Sequence, residues 1–276
     1  MLHNNTKLIF LKKYIMLGLI LLAFEGIFAQ KPPSLFEPDN TNIWWGTYTK
    51  ARLSEKLYWN IQHHFRTGNY DNVPFTGRVT QIYNRHAIDY RVRPNVMLTA
   101  GMVLRLDFTP EPGNRDDFAP VVLEPRFWEE IMFAMPFEKM IVYHRIRLEH
   151  RWSRRNDRGN DFIFRNRWRY KLFMKIPLNG TKLVPKTWFL MPDVEIMLQT
   201  GKPVGGSVLE DLRVYPQIGY IANTTTQYTM GMMYTTGQRL SDATVFRSRW
   251  IFRANVYLTL DFRKLENKVP ETRIFD

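Results

Sequence analysis

There is no cysteine among the 276 residues. Disulfides, thiolate nucleophiles and zinc–thiolate sites are therefore excluded, and a large hydrogen-bond ladder or a large core has to hold the fold. Long apolar runs are also missing beyond the N-terminus. The longest, Ile131 to Phe137, is interrupted by Pro136 and falls far short of the roughly 20 residues a spanning helix needs. No segment has helical periodicity, and no H-E-x-x-H, G-x-G-x-x-G or P-loop pattern occurs. Gly205-Gly206-Ser207-Val208-Leu209 departs from the nucleophile elbow at its last position and reads as a flexible turn. Asp116-Asp117 reads as a solvated pair rather than a calcium site. No cofactor, metal or catalytic residue is expected.

The N-terminus does carry an apolar stretch. Lys7, Lys12 and Lys13 precede Tyr14 to Phe24, and Ile27-Phe28-Ala29 ends on a small residue. Residues 1–29 thus read as a cleaved secretory signal peptide, because the run is too short for an anchor. The remainder divides into an N-terminal extension over 30–42, one domain over 43–263 and a tail over 264–276. Formal charge is +13, and removing a leader with three Lys and one Glu leaves +11. Export argues against nucleic acid as the partner of that excess, and favours lipid phosphates or small anionic solutes.

What is present in quantity is strict alternation. In Tyr143-His144-Arg145-Ile146-Arg147-Leu148-Glu149-His150-Arg151-Trp152, charges take the odd positions. The pattern resumes in Phe164-Arg165-Asn166-Arg167-Trp168-Arg169-Tyr170-Lys171-Leu172. A period of two puts successive side chains on opposite faces of a strand. One face is ionic and the other aromatic or aliphatic. A membrane barrel turns the apolar face to lipid and the charges inward, and a closed sheet is the one non-helical structure that satisfies its backbone in lipid. Strands are expected near 43–53, 57–66, 78–92, 96–106, 125–136, 141–152, 162–176, 188–199, 211–222, 227–237 and 245–263. Short connections alternate with long ones rich in Gly, Pro, Asn and Asp (67–77, 107–124, 153–161, 200–210 and 237–244), as periplasmic turns and outer loops do. Single-chain bacterial barrels have even strand numbers. The expectation is therefore an all-β, closed antiparallel transmembrane barrel of twelve strands, the unseen one in 30–42 or 107–124, with ten as the next count.

Trp44-Trp45, Arg85-His86-Ala87-Ile88-Asp89-Tyr90, the R-x-R-x-E-x-R run of 145–151, Pro192-Asp193-Val194-Glu195-Ile196 and Leu212 to Tyr220 follow one another in an order that resembles domain of unknown function 2490. This is an outer-membrane barrel family common in Bacteroidota. The resemblance implies a barrel in the outer membrane, in contact with its lipids and lipopolysaccharide and assembled by the barrel-assembly machinery. It implies no established activity.

Parity assigns the lumenal charge network to Arg85, Asp89, Arg126, Glu130, Arg145, Arg147, Glu149, Arg151, Arg165, Arg167, Arg169, Asp193, Glu195, Arg213, Arg247, Arg249 and Arg253. A turn at 137–140 sets Glu130 opposite Arg147 and Arg126 opposite Arg151. Closing the next loop between Trp152 and Phe162 sets Glu149 opposite Arg165, and Arg147 opposite Arg167. Glu195 falls opposite or diagonal to Arg169. Two readings compete: an Arg–carboxylate filling that is mutually satisfied, or an excess of Arg lining a path for anions. His63, His86, His144 and His150 fall on the apolar face, where amphipathic rings suit an interface. An outer-membrane lipid hydrolase is the remaining alternative.

Overall fold

The computed structural model describes residues 36–38, 42–70, 73–108, 121–153, 162–201, 208–238 and 245–263. The expected leader, most of the extension, the tail, Asp116-Asp117 and Gly205 to Ser207 lie outside them. Every regular element among the described residues is a strand: β1 (Phe36–Pro38), β2 (Asn42–Arg52), β3 (Leu57–Tyr70), β4 (Val73–Arg93), β5 (Val96–Phe108), β6 (Val121–Phe137), β7 (Met140–Ser153), β8 (Ile163–Pro177), β9 (Thr187–Leu190), β10 (Asp193–Thr200), β11 (Leu209–Tyr215), β12 (Ile218–Ile221), β13 (Thr226–Gln238) and β14 (Phe246–Asp261).

From β2 to β14 these strands close into a barrel. Two of its staves are broken. β9 and β10 are separated at Met191-Pro192, and β11 and β12 at Pro216-Gln217. The register is continuous across both gaps: Asp193 faces Tyr215 on one side and Leu190 faces Ile218 on the other. Pro192 thus lies opposite Pro216, where neither can donate to the ladder. Met191 and Gln217 exchange backbone hydrogen bonds beside the gap, at 2.8 and 3.2 Å.

Counting each broken stave once gives eleven, not twelve or ten. The seam explains the odd number. β14 pairs with β2 in parallel, from Ile251 opposite Asn42 to Asp261 opposite Arg52, whereas every other pairing around the barrel is antiparallel. An eleventh up-and-down stave necessarily runs the same way as the first, so closure is parallel. At the seam's end Phe262 N–H donates to the Arg52 carbonyl at 3.0 Å, and Arg263 pairs with Glu55 at 2.5 Å. Hydrogen bonds to Asp261 and Glu55 hold Arg263 above the ordinary guanidinium range.

Local chemistry makes the tight turns. Ser54 Oγ accepts from the Leu57 N–H at 3.1 Å, and Asn223 Oδ1 accepts from the Thr225 and Thr226 N–H groups at 2.8 and 2.9 Å. These side-chain turns mimic the backbone turn they replace. At the opposite end the strands run further than apolar patterning suggests. The long connection expected over 67–77 is instead strand: β3 continues to Tyr70 and β4 begins at Val73, with register shifts after Arg66 and Gly68. Polar residues such as Asn69 and Thr76 carry no apolar alternation there, and bulges absorb the irregularity.

Alternation of burial follows the alternation of residue type. In β10, Asp193, Glu195, Met197 and Gln199 are buried while Val194, Ile196, Leu198 and Thr200 are exposed. The interior also holds apolar patches: Trp44 with Tyr215, Met233 and Ile251; Tyr83 with Ala87, Val103 and Trp128; and Phe189 with Met191 and Ile221. Gly219 makes room for the last of these, since a Cβ there would sit 2.2 Å from the Phe189 ring. Outward, large apolar side chains face the surroundings on every stave, Trp45 at 49%, Trp168 at 47% and Trp250 at 49% exposure among them.

Candidate functional site

The β7–β8 hairpin supplies the ionic heart of the interior. Its two Arg-rich strands place every second side chain on the buried face, and β6 and β10 flank them. Glu149, at 1% exposure, sits at the centre. Arg126 Nη1 donates to it at 3.0 Å, Arg169 Nη1 at 2.6 Å, and Arg167 through Nε at 3.0 Å and Nη2 at 2.5 Å. One carboxylate therefore serves three guanidinium groups from both neighbouring strands. Glu195 takes the other side of Arg169, through Nε at 3.0 Å and Nη2 at 2.7 Å, and accepts from Arg145 Nη2 at 2.6 Å. Glu130 accepts from Arg147 Nε at 2.6 Å. Charge-assisted contacts of this kind are the strong class of hydrogen bond, and the planar guanidinium fork suits them.

Nearer the long-connection end lies a second tier. Glu124 accepts from Arg126, from Arg151 Nε at 3.0 Å and from Arg105 Nη1 at 3.0 Å. Glu210 joins Arg151 at 2.7 Å to Arg167 at 3.1 Å. Asp211 pairs with Arg213 at 2.7 Å. Glu124, Glu210, Asp211, Arg105 and Lys171 were not among the residues singled out from sequence. Their parity does carry the signal: Glu124 stands two before Arg126, and Lys171 two after Arg169. The first four border the long polar connections, where strand and loop look alike in composition.

The turn-side half is different in kind. Asp89, at 1% exposure, accepts from Asn60 Nδ2 at 3.1 Å and Thr99 Oγ1 at 2.8 Å, with Lys50 at 3.5 Å. Asp193 accepts from Lys171 and Gln217, both at 2.8 Å. Thr229 donates to Gln217, and Asn255 donates to Thr229. A cavity of about 200 Å³ opens among these groups.

The residues assigned to the network from sequence alternate onto one face as expected, yet they do not act alike. Arg126 lies opposite Arg151 and Glu130 opposite Arg147, as the hairpin arithmetic gave. The β7–β8 register is two residues away from the expectation. Glu149 faces Arg167, not Arg165, and Arg147 faces Arg169, because β7 continues to Ser153 and pairs it with Ile163. An even shift leaves every side chain on its face. Arg165, opposite Arg151, is buried and has no carboxylate within 4 Å among the described residues. Arg85 and Arg253 share that condition: Arg85 meets Gln62 at 3.5 Å, and Arg253 meets the Tyr48 hydroxyl at 2.5 Å. Arg213 lies 3.9 Å from Glu195. Arg247 and Arg249 are half-buried on β14.

On the outer face, His63 and His86 are exposed and pack edge to face. His144 Nδ1 meets the Tyr170 hydroxyl at 2.7 Å, and His150 meets Asn166 at 2.8 Å and Glu129 at 3.1 Å. His150 is stacked against Phe127 and Phe164.

No curated protein and no solved structure matches this chain. A sequence family does. Residues 41–245, which carry every barrel stave but the last, match the family described as protein of unknown function (DUF2490), and the chain belongs to that family.

Proposed function

We propose that this protein is an integral barrel of a bacterial outer membrane, exported by its leader, whose charged interior serves a structural or binding role. The observation that carries the reading is the inversion of polarity across a closed wall. Trp45, Trp59, Phe127, Trp152, Trp168 and Trp250 point outward, while Glu149, Glu195, Arg147 and Arg151 are buried. A soluble monomer rarely exposes contiguous apolar area beyond a few hundred Å², and lipid removes that cost. Closure satisfies the backbone in a bilayer without an edge. The partners in this setting are outer-membrane lipids, lipopolysaccharide and, during biogenesis, the barrel-assembly machinery. The short turns face the periplasm.

Membrane fractionation and migration of unboiled samples on gels test this. The expected result is recovery in the outer membrane with a mobility shift on boiling. Recovery as a soluble periplasmic protein without a shift ends the reading.

A second reading, an anion-preferring pore, is favoured by one observation. Among the described residues nine Arg or Lys side chains are buried against five Asp or Glu, so the interior carries cations beyond those the network pairs. Against a through-path stands the network itself, which ties β5, β6, β7, β8, β10 and β11 together side chain to side chain. Planar-bilayer recording separates the two: no steady conductance is expected, and steady anion-selective conductance would replace the filled interior with a pore. Lipid mass spectrometry of a deletion strain tests the hydrolase alternative, for which an altered lipid A or phospholipid profile is the required result.

A further inference from the structure

We propose that the cavity of the interior is a chamber for a small amphiphilic anion, its carboxylate or phosphate-monoester head held by Arg66, Arg85 and Arg253 on the β3, β4 and β14 wall and its apolar body against Phe173, Phe189 and Met191. The proposal deepens the binding-barrel reading and rests on it.

Three guanidinium groups line the same cavity, and none has a carboxylate within 4 Å among the described residues. Their partners are neutral. Arg66 Nη1 donates to Gln81 at 2.8 Å and its guanidinium lies 3.5 Å over the Trp44 ring. Arg85 reaches Gln62, and Arg253 the Tyr48 hydroxyl. The Nε atoms of Arg66 and Arg85 and Nε2 of His64 are buried without a hydrogen-bond partner. His64 and Arg85 are 5% and 6% exposed, and both line the cavity. Buried charges are ordinarily paired, because an uncompensated one is costly. The carboxylates of the adjoining network, Glu130, Glu149 and Glu195, are each shared by guanidinium groups of that network, and none comes within 4 Å of Arg85. A bound oxyanion supplies the missing charge, and the guanidinium fork matches carboxylate and phosphate alike.

The rest of the cavity indicates the body of the ligand. Elsewhere in the lining, Phe173 stacks on Tyr143 at 4.5 Å between centroids beside the buried Phe189 and Met191, with Lys171 over the Phe173 ring at 5.3 Å and Lys175 over the Phe189 ring at 5.8 Å. About 200 Å³ is roughly fifteen times the share of one water on that measure, more than a bare ion fills. The lining runs from Lys50, Lys175 and Thr259 near the turn end to Arg147, Arg169 and Glu195 of the network, but does not reach Glu124, Arg126, Arg151 or Glu210. The network thus forms one wall of the chamber.

The test uses the full chain, folded in detergent, with calorimetric titration of phenyl phosphate, benzoate and neutral phenol. Saturable binding of phenyl phosphate or benzoate is expected, with phenol at least tenfold weaker. Arg85→Gln and Arg253→Gln should each weaken the bound anion at least tenfold. Because these changes remove an unpaired charge, the unliganded Arg85→Gln protein should melt no lower than wild type. Three outcomes overturn the proposal: neither anion binds, phenol binds as tightly, or both substitutions leave affinity unchanged. A marked loss of unliganded stability in Arg85→Gln also overturns it, since that places Arg85 in the structural network. Wild-type protein that keeps its mobility shift on boiling yet binds no anion sinks the chamber alone, whereas absence of the shift sinks the barrel reading beneath it.

Discussion

The two halves of the barrel interior are both lined with polar groups, but they handle charge differently. Along β6 to β11, Glu124, Glu130, Glu149, Glu195 and Glu210 are each met by two or more guanidinium groups, as Glu149 is by Arg126, Arg167 and Arg169. Along β2 to β4 and β14, Asp89 is met by an amide, a hydroxyl and a lysine, while Arg85 and Arg253 meet only neutral groups. The first arrangement is closed on itself and holds strands in place. The second leaves binding capacity unspent around open volume. Alternation alone does not distinguish them, since both obey the same parity; the difference lies in which charges find each other.

The sharpest break of that comparison is Glu149→Gln. It keeps the volume and removes the one charge shared by three arginines, leaving buried cations uncompensated at about 3–5 kcal/mol. A large drop in the melting temperature of the detergent-solubilised barrel is expected, and a negligible one would mean that the network is solvated rather than buried. Gly219→Ala comes next. Its new Cβ would collide with the Phe189 ring, and forcing extra volume into a packed site costs about 1–3 kcal/mol, read by the same melt. Asp89→Asn, on the turn side, should cost about 1–2 kcal/mol, since most of its partners are neutral donors. If Asp89→Asn proved as damaging as Glu149→Gln, the two halves would be one network after all. Glu138→Gln, exposed in the turn between β6 and β7, should stay within about 0.5 kcal/mol of wild type and calibrates the series.

Much of this was legible because a strand's period of two is unforgiving. Every strand from 43 to 263 was visible in the alternation, and the β6–β7 register followed from a short turn whose length the sequence shows. The β7–β8 register did not follow, because one residue more at the end of β7 and one fewer at the start of β8 cannot be told from loop by composition. Ser153 and Ile163 decided it, and with them whether Arg165 or Arg167 serves Glu149. The alternation marks eleven staves, and that count was displaced for a different reason. Pairing between the first and last strands joins residues about 200 positions apart and leaves no local mark, so a general preference for even numbers stood in for evidence. Pro192 and Pro216 were plain in the sequence, but that they face each other across one ladder depends on a register only the folded chain reveals.

The parallel seam also fixes how the barrel's two ends can be reached. Asn42 begins β2 at the long-connection end, whereas Asp261 ends β14 beside the turn at Glu55. In an even-numbered barrel the chain enters and leaves the wall on the same side of the membrane. Here it enters at one end of the barrel and leaves at the other, so in the proposed outer-membrane setting the wall as a whole would cross the bilayer an odd number of times. Epitopes placed just before Asn42 and just after Arg263 would answer to opposite compartments: a protease confined to one side of sealed vesicles could strip only one of them.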